Sequence, residues 1–231
     1  MEYKVKGQTV PLVEIKLNSG ETVFTQSGGM IYQTTGIDMH TNTRGGVMKG
    51  IGRMFAGESM FMANYTATVD NSVVAFASTV PGSIIPVDLS KLSNGLIIQK
   101  GAFLCAESTI QTSIIFSKKF SAGLFGGEGF ILQNLTGSGH AFLEVDGDPI
   151  EKILQPGEVL KVDTGNVVAF EPSVNYEIET VKGISNILVG GEGLFLTKLT
   201  GPGRVILQSQ NFKDFAGKII PYIPRSHNWK N

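Results

Sequence analysis

Residues 126–139, GGEGFILQNLTGSG, return as GGEGLFLTKLTGPG at 190–203 and more loosely as AGESMFMANYTATV at 56–69. Gly57, Gly127 and Gly191 align, each followed by Glu58, Glu128 or Glu192, and they stand 70 and 64 residues apart. Apolar side chains recur behind them at Met60, Phe130 and Leu194, at Phe61, Ile131 and Phe195, and at Met62, Leu132 and Leu196. A near-regular period of module length is the mark of internal duplication. Tyr65, Leu135 and Leu199, then Thr66, Thr136 and Thr200, close the phrase.

A second phrase interleaves with the first. LNSGETVFTQSGGMIYQ starts at Leu17 and LQPGEVLKVDTGNVVAF at Leu154. A looser copy, TVPGSIIPVD, starts at Thr79 and resumes at GAFLCAE after an insertion at 89–100. This reading aligns Gly20, Gly82 and Gly157, and likewise Gly28, Gly101 and Gly165. Pro-Gly opens two copies, as a tight turn requires, and the apolar runs behind it read as strands. Asp146-Gly147-Asp148-Pro149 reads as a hairpin turn between two strands.

The phrases alternate from the second to the first, so one of the three units, the first, is expected to be assembled from both chain ends. VPLVEIKLNSGETVF would pair with GGEGLFLTKLTGPGRVILQSQ, hiding the edge strands and bringing the termini together. The expected fold is therefore all-β, with three related β-sandwich or β-helix modules arranged pseudo-threefold in one chain. The expected divisions are 1–56 with 190–215, 57–125 and 126–189, followed by a C-terminal tail at 216–231.

Composition limits the function. The chain is 231 residues long, 42% hydrophobic, with 29 glycines, about twice the usual share of about 7%. A net charge of −1 gives no dominant basic footprint for nucleic acid. The one cysteine, Cys105, rules out an intramolecular disulfide framework and sits in AFLCAE, where a thiol behaves as a small buried hydrophobe. MEYKVKGQTV has no signal-peptide core, so a cytoplasmic protein is expected, membrane-peripheral at most. His40, His140 and His227 stand apart, and no metal site is expected. Glu144, Asp146 and Asp148 lack the spacing of a calcium loop and read as a solvated turn. No phosphate loop, dinucleotide fingerprint or nucleophile elbow occurs, so no catalytic residue and no cofactor is nominated.

Three stretches between modules are basic, then apolar: RGGVMKGIGRMF (44–55), FSKKFSAGLF (116–125) and VKGISNILV (181–189). Within them Arg44, Val47, Lys49, Ile51, Arg53, Phe55, Lys118 and Lys119 are the candidate contacts for a protein partner or a membrane surface. The competing reading is a linker packed on the core.

AGESMFMANYTA, GAFLCAE, GLFGGEGFILQNLTGSG, VDTGNVVAFE and GGEGLFLTKLTGPGRVILQSQ together resemble the "altered inheritance of mitochondria" family along nearly the whole chain. The resemblance implies an all-β fold like that of the tryptophan RNA-binding attenuation protein, whose small β modules assemble into a ring. Three modules per chain would then suit a trimer. It transfers no catalytic residue, and Asn166 stands where many relatives carry histidine. A non-catalytic oligomeric β scaffold for protein or membrane-surface contacts is the first expectation. A ligand- or RNA-binding ring, with nucleic acid disfavoured by charge, is the second, and an enzyme with a site between modules the third.

Overall fold

In the computed structural model, the structure describes residues 1–26, 29–42, 62–115, 131–180 and 195–223. The fold is all-β. Its first strands are β1 (Glu2–Lys6), β2 (Leu12–Leu17), β3 (Thr22–Thr25), β4 (Met30–Gln33), β5 (Ile37–Asn42), β6 (Met62–Ala67) and β7 (Ser72–Ala77). Then come β8 (Gly82–Asp88), β9 (Leu96–Gln99), β10 (Phe103–Glu107), β11 (Ile110–Ile115), β12 (Leu132–Gly137) and β13 (His140–Asp146). The last are β14 (Pro149–Leu154), β15 (Val159–Asp163), β16 (Val167–Phe170), β17 (Asn175–Thr180), β18 (Phe195–Thr200) and β19 (Gly203–Gln208). One short helix, α1 (Phe212–Ile219), follows. No helix of the described residues is long and apolar enough to cross a membrane.

The strands form four antiparallel sheets, in the orders β1-β2-β7-β4, β5-β6-β3-β10-β13-β8, β11-β12-β9-β16-β19-β14 and β15-β18-β17. Adding six to every strand of the second sheet reproduces the third. Adding six again gives β17-β18-β15, the fourth sheet, and then runs off the end of the chain. The strands that would continue it correspond to β4, β7 and β2 of the first sheet. The same strand order thus recurs at an interval of six strands, and two sheets of that order are complete among the described residues.

Three apolar clusters fill the spaces between successive sheets. Val13, Ile15 and Phe76 of the first sheet meet Val23, Tyr65 and Phe142 of the second. Phe24, Phe103 and Leu143 on the other face of the second sheet meet Ile98, Leu135 and Ile206 of the third. Ile97, Phe170 and Val205 meet Val162 and Leu199 of the fourth. The two middle sheets are therefore buried on both faces, which requires unbroken apolar runs. FLCA of β10 and VVAF of β16 are such runs, with every residue buried. The outer sheet needs only one apolar face, and LVEIKL of β2 alternates buried and half-buried positions accordingly.

Several expectations are corrected by the pairing. Among the described residues the ladder expected between the chain ends is not formed: β18 pairs with β15 and β17, β19 with β14 and β16, β2 with β1 and β7, and β3 with β6 and β10. Asp146-Gly147-Asp148-Pro149 does not close a hairpin, because β13 belongs to the second sheet and β14 to the third. The turn carries the chain from one sheet to the next, held by Asp148 N–H donating to Ser209 Oγ at 2.8 Å and Gly147 N–H to Pro81 O at 3.0 Å. The divisions at 56, 125 and 189 fall outside the described residues, and 215/216 lies within α1.

The glycine alignment also shifts. Gly20 and Gly157 have φ of +87° and +78°, in turns where Glu21 and Glu158 each accept a backbone N–H from three residues back. Their counterpart before β9 is Gly95, with φ of +76°. Gly82 instead opens β8, the equivalent of β2 and β14. A 3-10 turn at Leu89–Lys91, capped by Asp88, lengthens this one connection and displaces the glycine.

Candidate interaction surface

A second recurring feature locates the surface of interest. Each of β4, β10 and β16 carries one β-bulge, between Met30 and Tyr32, Phe103 and Cys105, and Val167 and Ala169. The extra residue bends the strand and turns its free side outward. In β10 that side pairs with β3, as Ala106↔Phe24 and Glu107↔Val23. In β16 it pairs with β9, as Phe170↔Ile97 and Ala169↔Ile98. In β4 it pairs with nothing among the described residues, and β4 ends its sheet.

Burial follows. The bulged residues Leu104 and Val168 are 3% and 0% exposed, whereas Ile31 is 53% exposed. At the next position Cys105 and Ala169 are both 0% exposed, whereas Tyr32 is 41% exposed. Burial also pushes the Cys105 thiol well above its ordinary pKa, as expected of a small core side chain. Tyr32 leans on the outer face of its own sheet, where its hydroxyl bonds Glu14, itself 2.7 Å from Lys6 Nζ.

The complementary edge is β15, which ends the fourth sheet. Val23, Leu96 and Leu160 are equivalent, since each lies opposite the matching residue of the repeated phrase, Tyr65, Leu135 or Leu199. Phe24, Ile97 and Lys161 come next, and Lys161 is a departure from the two apolar members. It is exposed and paired with Glu179 at 2.6 Å. Val159, at the start of the strand, is also exposed. The described residues thus display an apolar bulged edge at β4 and a mixed edge at β15.

The other candidates are dispersed. Arg44, Val47, Lys49, Ile51, Arg53, Phe55, Lys118 and Lys119 all lie outside the described residues. His140 Nδ1 lies 2.9 Å from Glu107 Oε1, with the Tyr3 ring packed at 5.2 Å. The acidic turn is corrected: Glu144 is mostly shielded from water and accepts hydrogen bonds from Thr79 N–H at 2.9 Å and Thr79 Oγ1 at 3.1 Å. Burial raises its pKa above the ordinary 4.5, against the lowering by those bonds. Asp146 is raised by burial too, although its Oδ2 accepts Phe212 N–H at 2.8 Å. Among the described residues no cluster of three or more His, Cys, Asp or Glu side chains is placed to hold a metal ion.

The expectations from sequence include no helix here, although the signals of α1 are present: Asn211 with Asp214 three residues on, and Phe212, Phe215 and Ile219 at helical spacing. Asn211 Oδ1 accepts Asp214 N–H at 3.0 Å, and Asn211 Nδ2 donates to Asp214 Oδ2 at 2.9 Å.

Comparison with known proteins agrees with this architecture. The chain is 32% identical over 225 residues to an uncharacterized protein of Streptococcus pyogenes serotype M6, covering 94% of this chain and 89% of that one. An X-ray crystal structure of a Streptococcus pyogenes protein superposes with a TM-score of 0.78 at 27% identity, covering 96% of this chain and 99% of that one. The family described as mitochondrial biogenesis AIM24 matches residues 3–210. Over that span, which takes in every strand but the first residue of β1, the chain belongs to the mitochondrial biogenesis AIM24 family.

Proposed function

We propose that this protein is a non-catalytic, self-assembling β scaffold that presents surfaces to protein partners or a membrane from the cytoplasmic side. The observation that carries the reading is the divided sheet: β17-β18-β15 at one end and β4-β7-β2 at the other are the two halves of the unit that is complete twice inside the chain. A second copy supplies the missing half when its β4 pairs with β15. Such head-to-tail contact is heterologous, so it closes into a ring when the rotation allows, and a trimer would hold nine modules. The apolar edge at Ile31 and Tyr32 would be covered, as Leu104 and Cys105 are inside the chain.

The mixed character of β15 favours association between folded chains. Both inner junctions are apolar and permanent, while Lys161 and its partner Glu179 tolerate water before assembly. Light scattering coupled to size exclusion tests the reading. The unaltered chain is expected to elute as a closed multimer, and Ile31→Asp with Tyr32→Asp as a folded monomer with a lower melting temperature, since the assembly and the Tyr32–Glu14 bond are both lost. A monomeric unaltered chain at high concentration would reject it.

A further inference from the structure

We propose that the uncovered face of β14, at Ile150 and Lys152, is the seat for Tyr32 and Glu14 of a second copy, closed by an ion pair between Lys152 of one chain and Glu14 of the next. This rests on the assembly reading and adds to it a contact between layers, where the pairing of β4 with β15 supplies only an edge.

The face is identified by its equivalents. Ala75, Phe142 and Ile206 correspond, since each lies opposite the residue that follows a bulge, Tyr32, Cys105 or Ala169. On their other side stand Glu14, Pro86 and Glu151, which sets β2, β8 and β14 in one register. Leu17, Leu89 and Leu154 are then equivalent, and all three are buried. Two residues earlier, on the same face, come Ile15, Val87 and Lys152, and before them Val13, Ile85 and Ile150. In β2 and β8 both positions pack into a core, whereas Ile150 and Lys152 are exposed.

The residue that covers this face inside the chain is known twice over. Phe142 shares the cluster of Val13 and Ile15, and Ile206 shares that of Val87, with Ile85 packed against it. Their counterpart above β14 is Ala75 of the second copy, which arrives when that copy's β4 pairs with β15. Alanine alone would leave a gap, and its neighbour makes up the volume. The inner junctions set a small residue beside a large one, Cys105 with Phe142 and Ala169 with Ile206, and here Tyr32 is the large member and Ala75 the small. Tyr32 and Glu14 flank Ala75 and are joined by a hydrogen bond, so the Tyr32 ring spans it. A ring is thereby brought to the place that Phe142 fills, and Ile150 is the apolar surface it would cover.

Charge completes the fit. Lys152 stands where Ile15 and Val87 do, and makes no ion pair among the described residues. Glu14 accepts from Lys6 Nζ at 2.7 Å and from the Tyr32 hydroxyl on one oxygen, Oε2, which leaves Oε1 to accept from Lys152. A lysine at this position stays solvated in the free chain and finds a carboxylate on assembly, as burial of its charge requires.

Carbodiimide coupling of the full chain tests this, because the reagent joins a lysine to a carboxylate only where the two are in contact. A mixture of light and heavy-isotope-labelled chain, assembled, coupled and digested, is expected to yield linked Lys152 and Glu14 peptides of mixed label. Coupling of Lys6 to Glu14 within one chain is the internal control. Light scattering then reads the weight of the contact. Lys152→Glu and, independently, Ile150→Asp should each raise the concentration at half assembly roughly a hundredfold. Both positions are exposed, so the variants should stay folded. Adding Glu14→Lys to Lys152→Glu reverses the pair and should recover most of the loss. A reversed pair that is folded yet assembles no better than Lys152→Glu alone would overturn the ion pair. An assembled unaltered chain without the mixed-label peptide, or variants that assemble unchanged, would overturn the layer contact and leave the edge pairing standing. An unaltered chain that stays monomeric would overturn both.

Discussion

Glu144 is a carboxyl in the middle of a strand, bonded to the Ser78-Thr79 connection and largely removed from water. Its folded pKa lies above the unfolded value because burial penalises the charged form more than the Thr79 and Ser78 bonds favour it. The folded state therefore takes up the proton more readily, and this residue opposes folding above its raised pKa and ceases to do so as pH falls toward 4.5. Glu144→Gln keeps an acceptor for Thr79 without the charge. It is expected to raise the melting temperature at pH 7, with the advantage vanishing below about pH 4.5, as thermal scans across that range would read. Gly82 is constrained differently: a Cβ there would stand 1.9 Å from Val145 O, a backbone atom of the paired strand. Gly82→Ala should cost about 1–3 kcal/mol in urea denaturation through forced separation of β8 and β13, and a neutral result would contradict the close approach.

At the scale of the element, a strand's sequence reports how many of its faces are buried. Phe142 of β13 is fully buried, in the cluster between the first two sheets, while its neighbour Leu143 enters the next cluster. Phe142→Ala is accordingly expected to cost about 3–5 kcal/mol, measured by urea denaturation. That the chain is all-β was legible from short apolar runs set between glycine turns, and the Gly20-Glu21 and Gly157-Glu158 turns stand where the second phrase put them. Strand partners were not legible, because an Asp-Gly step looks alike whether it returns a strand on itself or passes it to another sheet. Module two was misaligned at Gly82 since a 3-10 turn lengthens one connection, and Pro-Gly is the stronger local signal than Asn94-Gly95. The helix at 212–219 was overlooked because its eight residues are too few for sustained periodicity, though its cap was in plain view. The interaction edges carry no motif of their own: Ile31 and Tyr32 read as core residues, and only the unpaired bulge distinguishes them from Leu104 and Cys105.

At the scale of the molecule, an integer shift of six strands generates the second and third sheets from one another and leaves the next one divided. Both inner junctions share a register, Ala106↔Phe24 in one and Phe170↔Ile97 in the other. Their equivalents at the open ends are Gln33 and Lys161, which also sets Tyr32 opposite Val162 as Ala169 is opposite Ile98. Paired positions in an antiparallel ladder lie within reach of a disulfide. Cys105 is fully buried, so its thiol leaves the assay quiet. The most direct measurement is oxidation of a chain carrying Tyr32→Cys and Val162→Cys, resolved on a non-reducing gel. The account predicts cross-links between copies, ending in a closed covalent multimer and absent from either single variant. Double-variant chains that remain uncross-linked, or link no better than a control pair displaced from this register, would contradict it.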